Sequence, residues 1–279
     1  MQLYPIETGH FKLDGGAMFG VVPKVIWSKS YPADENNQIT LSMRSLLVVD
    51  GDRKILVNNG MGNKNKDKNT MYFSLNDEET NLKKSLADVG FTPEDITDVF
   101  LTHLHFDHCG GSVDQDENGN LFPAFPNATY HVSRQQWEWA INPNKREKPS
   151  YPSENLLPLR DRLKLIDRDG EIFPGFKIKI FNGHTMGQAI PFISYKGKTV
   201  VYTSDALPTS AHLPLPYIMS YDIQPLVTLD EKENLLNEAL ENDYILFFEH
   251  DHYTECCTLE KTPKGAKVRE RFRLMDLPA

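Results

Sequence analysis

Four side chains of types that bind metal ions lie within six consecutive positions of this sequence. Residues 103–108 read His-Leu-His-Phe-Asp-His and directly follow an apolar run, residues 99–102, that is typical of a strand end. A protein core cannot cheaply bury three imidazoles and a carboxylate, because each polar group taken from water needs a partner. Imidazole nitrogens and carboxylate oxygens are ligands of zinc and related metals. The segment therefore predicts a hydrolytic metal centre.

The spacing within this segment leaves room for two ions. His103 and His105 alternate along the chain, so they face the same way if the extended geometry continues. Asp107 and His108 then turn toward a second ion. The alternative interpretation is a solvated, histidine-rich turn that holds no metal.

The bulk properties exclude several classes of protein. The net charge is −9 and no block of Lys or Arg stands out, which argues against a nucleic-acid partner. No apolar run is long enough for a membrane span, the first residues do not resemble a signal peptide, and three cysteines make no disulfide framework. Without a visible linker or repeat, residues 1–279 are expected to form a single domain of a cytoplasmic protein with no membrane partner.

The elements that must position the metal ligands follow from the hydrophobic pattern. Alternation around Asp50-Gly51 predicts a hairpin with strands at 39–49 and 54–57. The other predicted elements are helices at 77–89, from Ser133 onward and at 229–240, and strands at 176–181, 190–195, 199–203 and 244–248. Ligand-type residues follow four strand ends, at 103–108, His184, Asp205 and His250. Such a mixture predicts two packed sheets with helices outside.

The ordered motifs resemble the metallo-β-lactamase superfamily. The motifs that carry this resemblance are residues 102–111, Gly183-His184, Ser204-Asp205 and residues 247–251. Within the superfamily, residues 13–24 are similar to the N-terminal segment of quorum-quenching N-acyl-homoserine-lactone lactonases and related organophosphate hydrolases. Residues 208–212 and 219–222 fit the same branch.

The resemblance implies an α/β (α+β) fold, a four-layer αββα sandwich, with two divalent metal ions. It assigns His103, His105 and His184 to one ion, Asp107, His108 and His250 to the other, and Asp205 to both. Zinc is the expected metal, with manganese, cobalt and iron as alternatives that suit the same ligands. His252 competes with His250 for its role, and the Phe-Phe-Glu-His-Asp motif favours His250. The resemblance also implies a homodimer.

The sequence departs from the family pattern at two positions. Asn58 stands where the superfamily usually has an aspartate, so the support it gives to the metal ligands is expected to be weaker. Pro208 stands where some lactonases have a tyrosine that touches the substrate carbonyl. His212, Tyr217 and Tyr221 are the open candidates to replace that tyrosine.

The expected activity is hydrolysis of a small ester or lactone. The first hypothesis is a lactonase that opens N-acyl-homoserine lactones, with Asp107, His212 and Tyr221 as catalytic candidates and Asp107 as the proton shuttle to the leaving oxygen. Met18, Phe19 and Tyr217 are the candidates to contact the acyl chain, and ordinary core packing is their alternative role. Phosphotriester hydrolysis is the second hypothesis, thioester hydrolysis the third, and a non-catalytic metal-binding protein the remote alternative.

Overall fold

A computed structural model describes residues 1–78 and 80–277 of the chain. Its contacts divide the chain into two units. Unit 1 comprises Met1–His10 and Met43–Arg168, and unit 2 comprises Phe11–Ser42 and Asp169–Ala279. A single domain over residues 1–279 stays a prediction.

Most of the regular structure consists of strands, of which the first two are the longest, with 13 residues each. The strands are β1 (Gln2–Asp14), β2 (Gln38–Asp50), β3 (Arg53–Val57), β4 (Asp98–Phe100), β5 (Val113–Gln115), β6 (Leu121–Pro123), β7 (Thr129–Ser133), β8 (Leu163–Ile166), β9 (Gly170–Phe173), β10 (Phe176–Phe181), β11 (Gln188–Tyr195), β12 (Lys198–Tyr202), β13 (Ile245–Phe247), β14 (Cys256–Thr262) and β15 (Gly265–Phe272).

The α-helices are short except for the last. They are α1 (Gly15–Phe19), α2 (Lys24–Trp27), α3 (Lys66–Phe73), α4 (Leu82–Asp88), α5 (Phe106–Cys109), α6 (Arg134–Ile141), α7 (Ser153–Leu156) and α8 (Pro225–Glu241). Within the described ranges, every helix falls short of the length or the apolar character that a membrane span requires.

Parallel pairing places two functional segments at one sheet edge in unit 1. The sheet order is β1-β2-β3-β4-β7-β8, and β3, β4, β7 and β8 pair in parallel. The carboxyl ends of β3 and β4 therefore meet at the same edge. Asn58 directly follows β3, and the histidine segment begins three residues after β4. Apolar side chains such as Leu56, Val99 and Tyr130 form the core that holds these strands.

In unit 2, strand ends also meet at one sheet edge. The strand order of its sheet is β15-β14-β13-β12-β11-β10-β9. β10 and β12 are both antiparallel to β11, and β13 is parallel to β12. The carboxyl ends of β10, β12 and β13 therefore share one edge, and His184, Asp205 and His250 follow those three ends. Helix α8 buries Leu235 and Leu236 in the apolar core of this unit.

The mixed α/β fold class is confirmed, and most predicted elements are present. The 39–49 and 54–57 hairpin forms as β2 and β3, and Ser133 caps α6 by accepting a hydrogen bond from the Gln136 amide. The helix predicted at 77–89 covers only Leu82–Asp88, since the backbone of Asn81 is extended and its side chain caps the helix by accepting a hydrogen bond from the Lys84 amide. Residue 79 of that range lies outside the described residues. Helix α8 begins four residues earlier than predicted, at a proline suited to a first helical turn.

Candidate metal centre

Unit 1 presents its metal-ligand candidates on the turn between β4 and α5. His103 and His108 are fully buried, and His105 is 8% exposed. His103 Nε2 lies 3.1 Å from His105 Nδ1. Two imidazole nitrogens at this distance need a proton or a metal ion between them, because their lone pairs otherwise repel. This pair therefore fits the requirement for two ligands of one ion.

The second pair in unit 1 lies on the first turn of α5. His108 Nε2 is 3.5 Å from Asp107 Oδ2, so an imidazole and a carboxylate face each other. For this pair, and likewise for His103 with His105, the ligand atoms lie within 4.8 Å of each other. Spacing in the turn therefore produces two separate donor pairs, as the sequence predicts.

Unit 2 contributes three side chains centred on Asp205. Its Oδ2 lies 3.1 Å from His184 Nε2, and its Oδ1 lies 3.1 Å from His250 Nε2. Each carboxylate oxygen thus serves a different imidazole, which is the geometry of a carboxylate that bridges two ions. Ser204 before it has a φ of 43°, a left-handed backbone conformation that is uncommon for a non-glycine residue.

Acceptors fix the orientation of both unit 2 imidazoles. Asp222 Oδ1 lies 2.8 Å from His184 Nδ1, and the Ser42 carbonyl oxygen lies 2.8 Å from His250 Nδ1. A ring that donates its Nδ1–H to these oxygens keeps its lone pair on Nε2, the atom that faces Asp205. Such acceptors behind a ligand histidine set its tautomer and increase its basicity.

The electrostatics of this cluster favour positive charge. Burial opposes protonation of His184, but Asp205 and Asp222 outweigh burial and raise the pKa of its imidazole to about 10. The negative potential that stabilises the imidazolium also stabilises a metal cation in its place. The donor set is therefore chemically suited to a dication.

Glu147 supports His105 in a way that sequence reasoning missed. This buried carboxylate has Oε1 3.4 Å from His105 Nε2. Its own oxygens accept hydrogen bonds from Trp139 Nε1 at 2.8 Å, Asn144 Nδ2 at 2.7 Å and the Tyr151 hydroxyl at 3.2 Å. These contacts hold the carboxylate behind the ring, so His105 Nδ1 is directed toward His103.

Both ring nitrogens of His212 have hydrogen-bond partners that suit the neutral imidazole. Its Nε2–H donates to the Met18 carbonyl at 2.9 Å, and its Nδ1 accepts from the Thr209 hydroxyl at 2.7 Å. Burial is the main cause that lowers the pKa of His212 to about 3. Because both ring nitrogens are engaged, this geometry favours a structural role over the predicted catalytic one, which no observation tests directly.

The predicted acyl-chain contacts are mostly core residues of unit 2. Phe19 is fully buried and stacks between Trp27, at 4.9 Å between ring centroids, and His212, at 4.4 Å. Met18 is also buried, while the ring of Tyr217 meets Phe19 edge-on at 6.1 Å. The substrate role of these residues stays a prediction.

The two remaining candidates lie nearer the surface. Tyr221 is 39% exposed, and its catalytic role also stays a prediction. His252 is exposed and belongs to no metal-binding group among the described residues, whereas His250 is buried. The choice of His250 over His252 agrees with this difference in burial.

Comparisons with known proteins agree with this donor chemistry. A family model described as the metallo-beta-lactamase superfamily matches residues 44–250. The N-acyl homoserine lactonase AiiA of Bacillus thuringiensis subsp. kurstaki is 30% identical over 177 residues, which cover 62% of this chain. The match spans 63% of that relative, less than two thirds of its length.

Solved structures extend the similarity to nearly the whole chain. A probable metal-dependent hydrolase from Staphylococcus aureus has a TM-score of 0.89 and 32% identity, covering 99% of this chain and 98% of that one. The dizinc quorum-quenching lactonase AidC, solved with the product N-hexanoyl-L-homoserine, has a TM-score of 0.80 and 23% identity, covering 97% and 94%. The second likeness concerns the fold alone.

The fold and the buried His and Asp donors provide a site whose chemistry suits a bound dication. The chain belongs to the metallo-β-lactamase superfamily.

Proposed function

We propose that this protein is a metal-dependent hydrolase, and specifically a lactonase that opens N-acyl-homoserine lactones with two divalent metal ions, zinc being the first choice. The proposed ligands are His103, His105 and His184 for one ion and Asp107, His108 and His250 for the other, with Asp205 bridging. The observation that carries the two-ion proposal is the pair of Asp205 oxygens, each 3.1 Å from a different imidazole. The lactonase relatives support the substrate class.

Two bound divalent ions supply a nucleophile at neutral pH and polarise the carbonyl under attack. The chain's own residues then set positions and move protons. Asp205 holds His184 and His250 in position, one through each of its carboxylate oxygens. Asp107, whose side chain is 14% exposed, is the proposed donor of a proton to the ring oxygen that leaves. Addition of one water across the ester bond gives the open N-acyl-homoserine.

The acyl chain is proposed to lie near Met18, Phe19 and Tyr217. Lys232 on α8 donates to the Tyr217 carbonyl at 2.8 Å, which fixes the loop that carries this ring. Phe19 is fully buried and stacks on its neighbours, so its proposed part is to support the wall of the acyl-chain site from behind. A wall that is already rigid binds an acyl chain without the entropic cost of ordering its own side chains.

The test is a side-by-side turnover assay of zinc-loaded protein on lactones of increasing acyl length and on a phosphotriester. We expect ring opening, measured as proton release and as the hydroxy acid by mass spectrometry, at higher kcat/KM than phosphotriester hydrolysis. Asp205→Asn should lose activity on all substrates, which excludes a contaminating esterase. Higher efficiency on the phosphotriester would replace the proposal by organophosphate hydrolysis. No turnover of any substrate by fully loaded protein would reject both activities.

A further inference from the structure

The tautomers of the ligand histidines are not all alike. Among the five histidines proposed as ligands, four have an oxygen against the ring nitrogen that points away from the proposed ion. These are His184 with Asp222, His250 with the Ser42 carbonyl, His105 with Glu147 and His103 with the Thr102 hydroxyl. His108 differs, because the atom 3.1 Å from its Nδ1 is Asn58 Nδ2, an amide nitrogen that can only donate.

The orientation of the Asn58 amide is fixed by a backbone donor. The Thr102 N–H donates to Asn58 Oδ1 at 3.0 Å, so this end of the amide must be the oxygen. Asn58 Nδ2 then lies 2.9 Å from the Thr102 hydroxyl and faces His108 with its second hydrogen. All three residues are fully buried, so water cannot replace a lost partner. Turning the amide over would place a donor against the Thr102 N–H.

We infer that Asn58 holds His108 in the tautomer that carries its proton on Nε2. That proton lies on the side of Asp107 Oδ2, 3.5 Å away, which is where the proposed ion must bind. Binding requires the proton to move from Nε2 to Nδ1, where it meets the amide hydrogens of Asn58. The ion at Asp107 and His108 is therefore bound more weakly than the ion at His103 and His105. This inference rests on the two-ion site of the proposed function.

The test is the substitution Asn58→Asp, which places an acceptor against His108 Nδ1. The backbone accepts this change, because Asn58 has a φ of 56°, a conformation that aspartate also tolerates. Zinc affinities are measured by competition with a chromophoric chelator, and zinc content is measured after dialysis. We expect the wild-type protein to bind two ions with unequal affinity. Asn58→Asp should tighten the weaker one about 10- to 100-fold, the usual size of such support effects.

The matched control is Asn59→Asp, which adds the same charge one residue away. The Asn59 side chain donates to the Ser112 hydroxyl at 2.7 Å, so a carboxylate there accepts a hydrogen bond from that hydroxyl. This control should leave the weaker affinity nearly unchanged. Equal tightening by both variants would mean that charge alone acts, and would overturn the inference.

A second readout does not depend on zinc affinity. Nitrogen-15 shifts of the histidine rings in metal-free wild-type protein should show His108 protonated on Nε2, and Nδ1 protonated in Asn58→Asp. Two wild-type zinc ions of equal affinity, or His108 protonated on Nδ1, would overturn the inference even if lactones are hydrolysed. Unequal zinc binding without lactone hydrolysis would instead retain the inference and reject the proposed substrate.

Discussion

At the scale of single residues, hydrogen-bond direction decides what each imidazole can do. His212 illustrates this, since its Nε2–H is committed to the Met18 carbonyl and its Nδ1 to the Thr209 hydroxyl. The ring also stacks on Phe19 with an interplanar angle of 5°. Both ring nitrogens of His212 are therefore hydrogen-bonded, and protonation would break the bond that Nδ1 accepts. In its neutral form the ring stabilises the fold around Met18. It also makes the folded state sensitive to acid.

The sign of that sensitivity follows from the depressed pKa of His212. The pKa of His212 is lowered to about 3 in the folded protein, against about 6.5 for an unfolded chain. Stability from this group is complete above pH 6.5 and is lost as the pH falls toward 3, because only the unfolded chain takes up the proton. At pH 5 the loss amounts to about 2 kcal/mol at 1.36 kcal/mol per pH unit.

His212→Gln should remove this acid sensitivity, because the amide can donate to Met18 and accept from Thr209 without titrating. Denaturant unfolding of both zinc-loaded proteins between pH 5 and 8 measures it. Metal loss at acid pH affects both proteins. The informative quantity is therefore the difference between the two slopes of unfolding free energy against pH. Parallel pH dependences of the two unfolding free energies would contradict the prediction.

At the scale of elements, α8 and the turn before it hold the loop that carries His184. Glu231 on α8 accepts from the amides of Asn182 at 2.7 Å and Gly183 at 2.9 Å. In return, the Gly183 carbonyl accepts from the Gln224 amide at 2.9 Å. The helix approaches so closely that a Cβ at position 183 would lie 2.4 Å from the Thr228 amide nitrogen. The end of β10 is therefore positioned by α8.

Gly183→Ala should displace this loop and with it His184. Overpacking against backbone costs about 1–3 kcal/mol, which should appear as a lower Tm together with reduced zinc content after dialysis. Gly197→Ala is the control, since it carries backbone strain at a φ of 74° but its Cβ meets no atom within 4 Å. The control should lower the Tm without changing zinc content. Full zinc retention by Gly183→Ala would show that α8 does not position His184.

At the scale of the whole molecule, the metal ions are expected to contribute to stability. Buried carboxylates and imidazoles gathered without cations repel one another or must take up protons, which is the tendency that the raised pKa of His184 reflects. An ion present at 100 times its Kd stabilises the folded state by about 2.7 kcal/mol through mass action. Bound ions are therefore expected to offset the cost of assembling these proposed ligands.

Removal of metal by a chelator should lower the Tm, and added zinc should restore it, as measured by calorimetry. The net charge of −9 attracts cations generally, so the control is added NaCl, which screens that attraction without filling a specific site. Asp205→Asn should show a smaller response to zinc than the wild-type protein. A Tm that does not respond to chelation would mean that the folded state does not depend on bound metal.

The sequence by itself determined the proposed donor set and most of the elements that present it. Three histidines and an aspartate in six positions, strands that end just before His184, Asp205 and His250, and the turn at Asp50-Gly51 all follow from local spacing. Local patterns succeed here because strand alternation and turn chemistry act over a few residues. The mixed α/β fold class followed from the same patterns and from the resemblance.

Only the tertiary structure decided which groups stand behind the ligands. Asp222 contacts His184, 38 residues away in the sequence, and Ser42 contacts His250, 208 residues away. Local residue spacing does not predict contacts between such distant positions. Glu147 was missed for the same reason. Long-range contacts decide these partners, since the free energy of such contacts depends on tertiary packing, which the hydrophobic periodicity of the sequence does not specify.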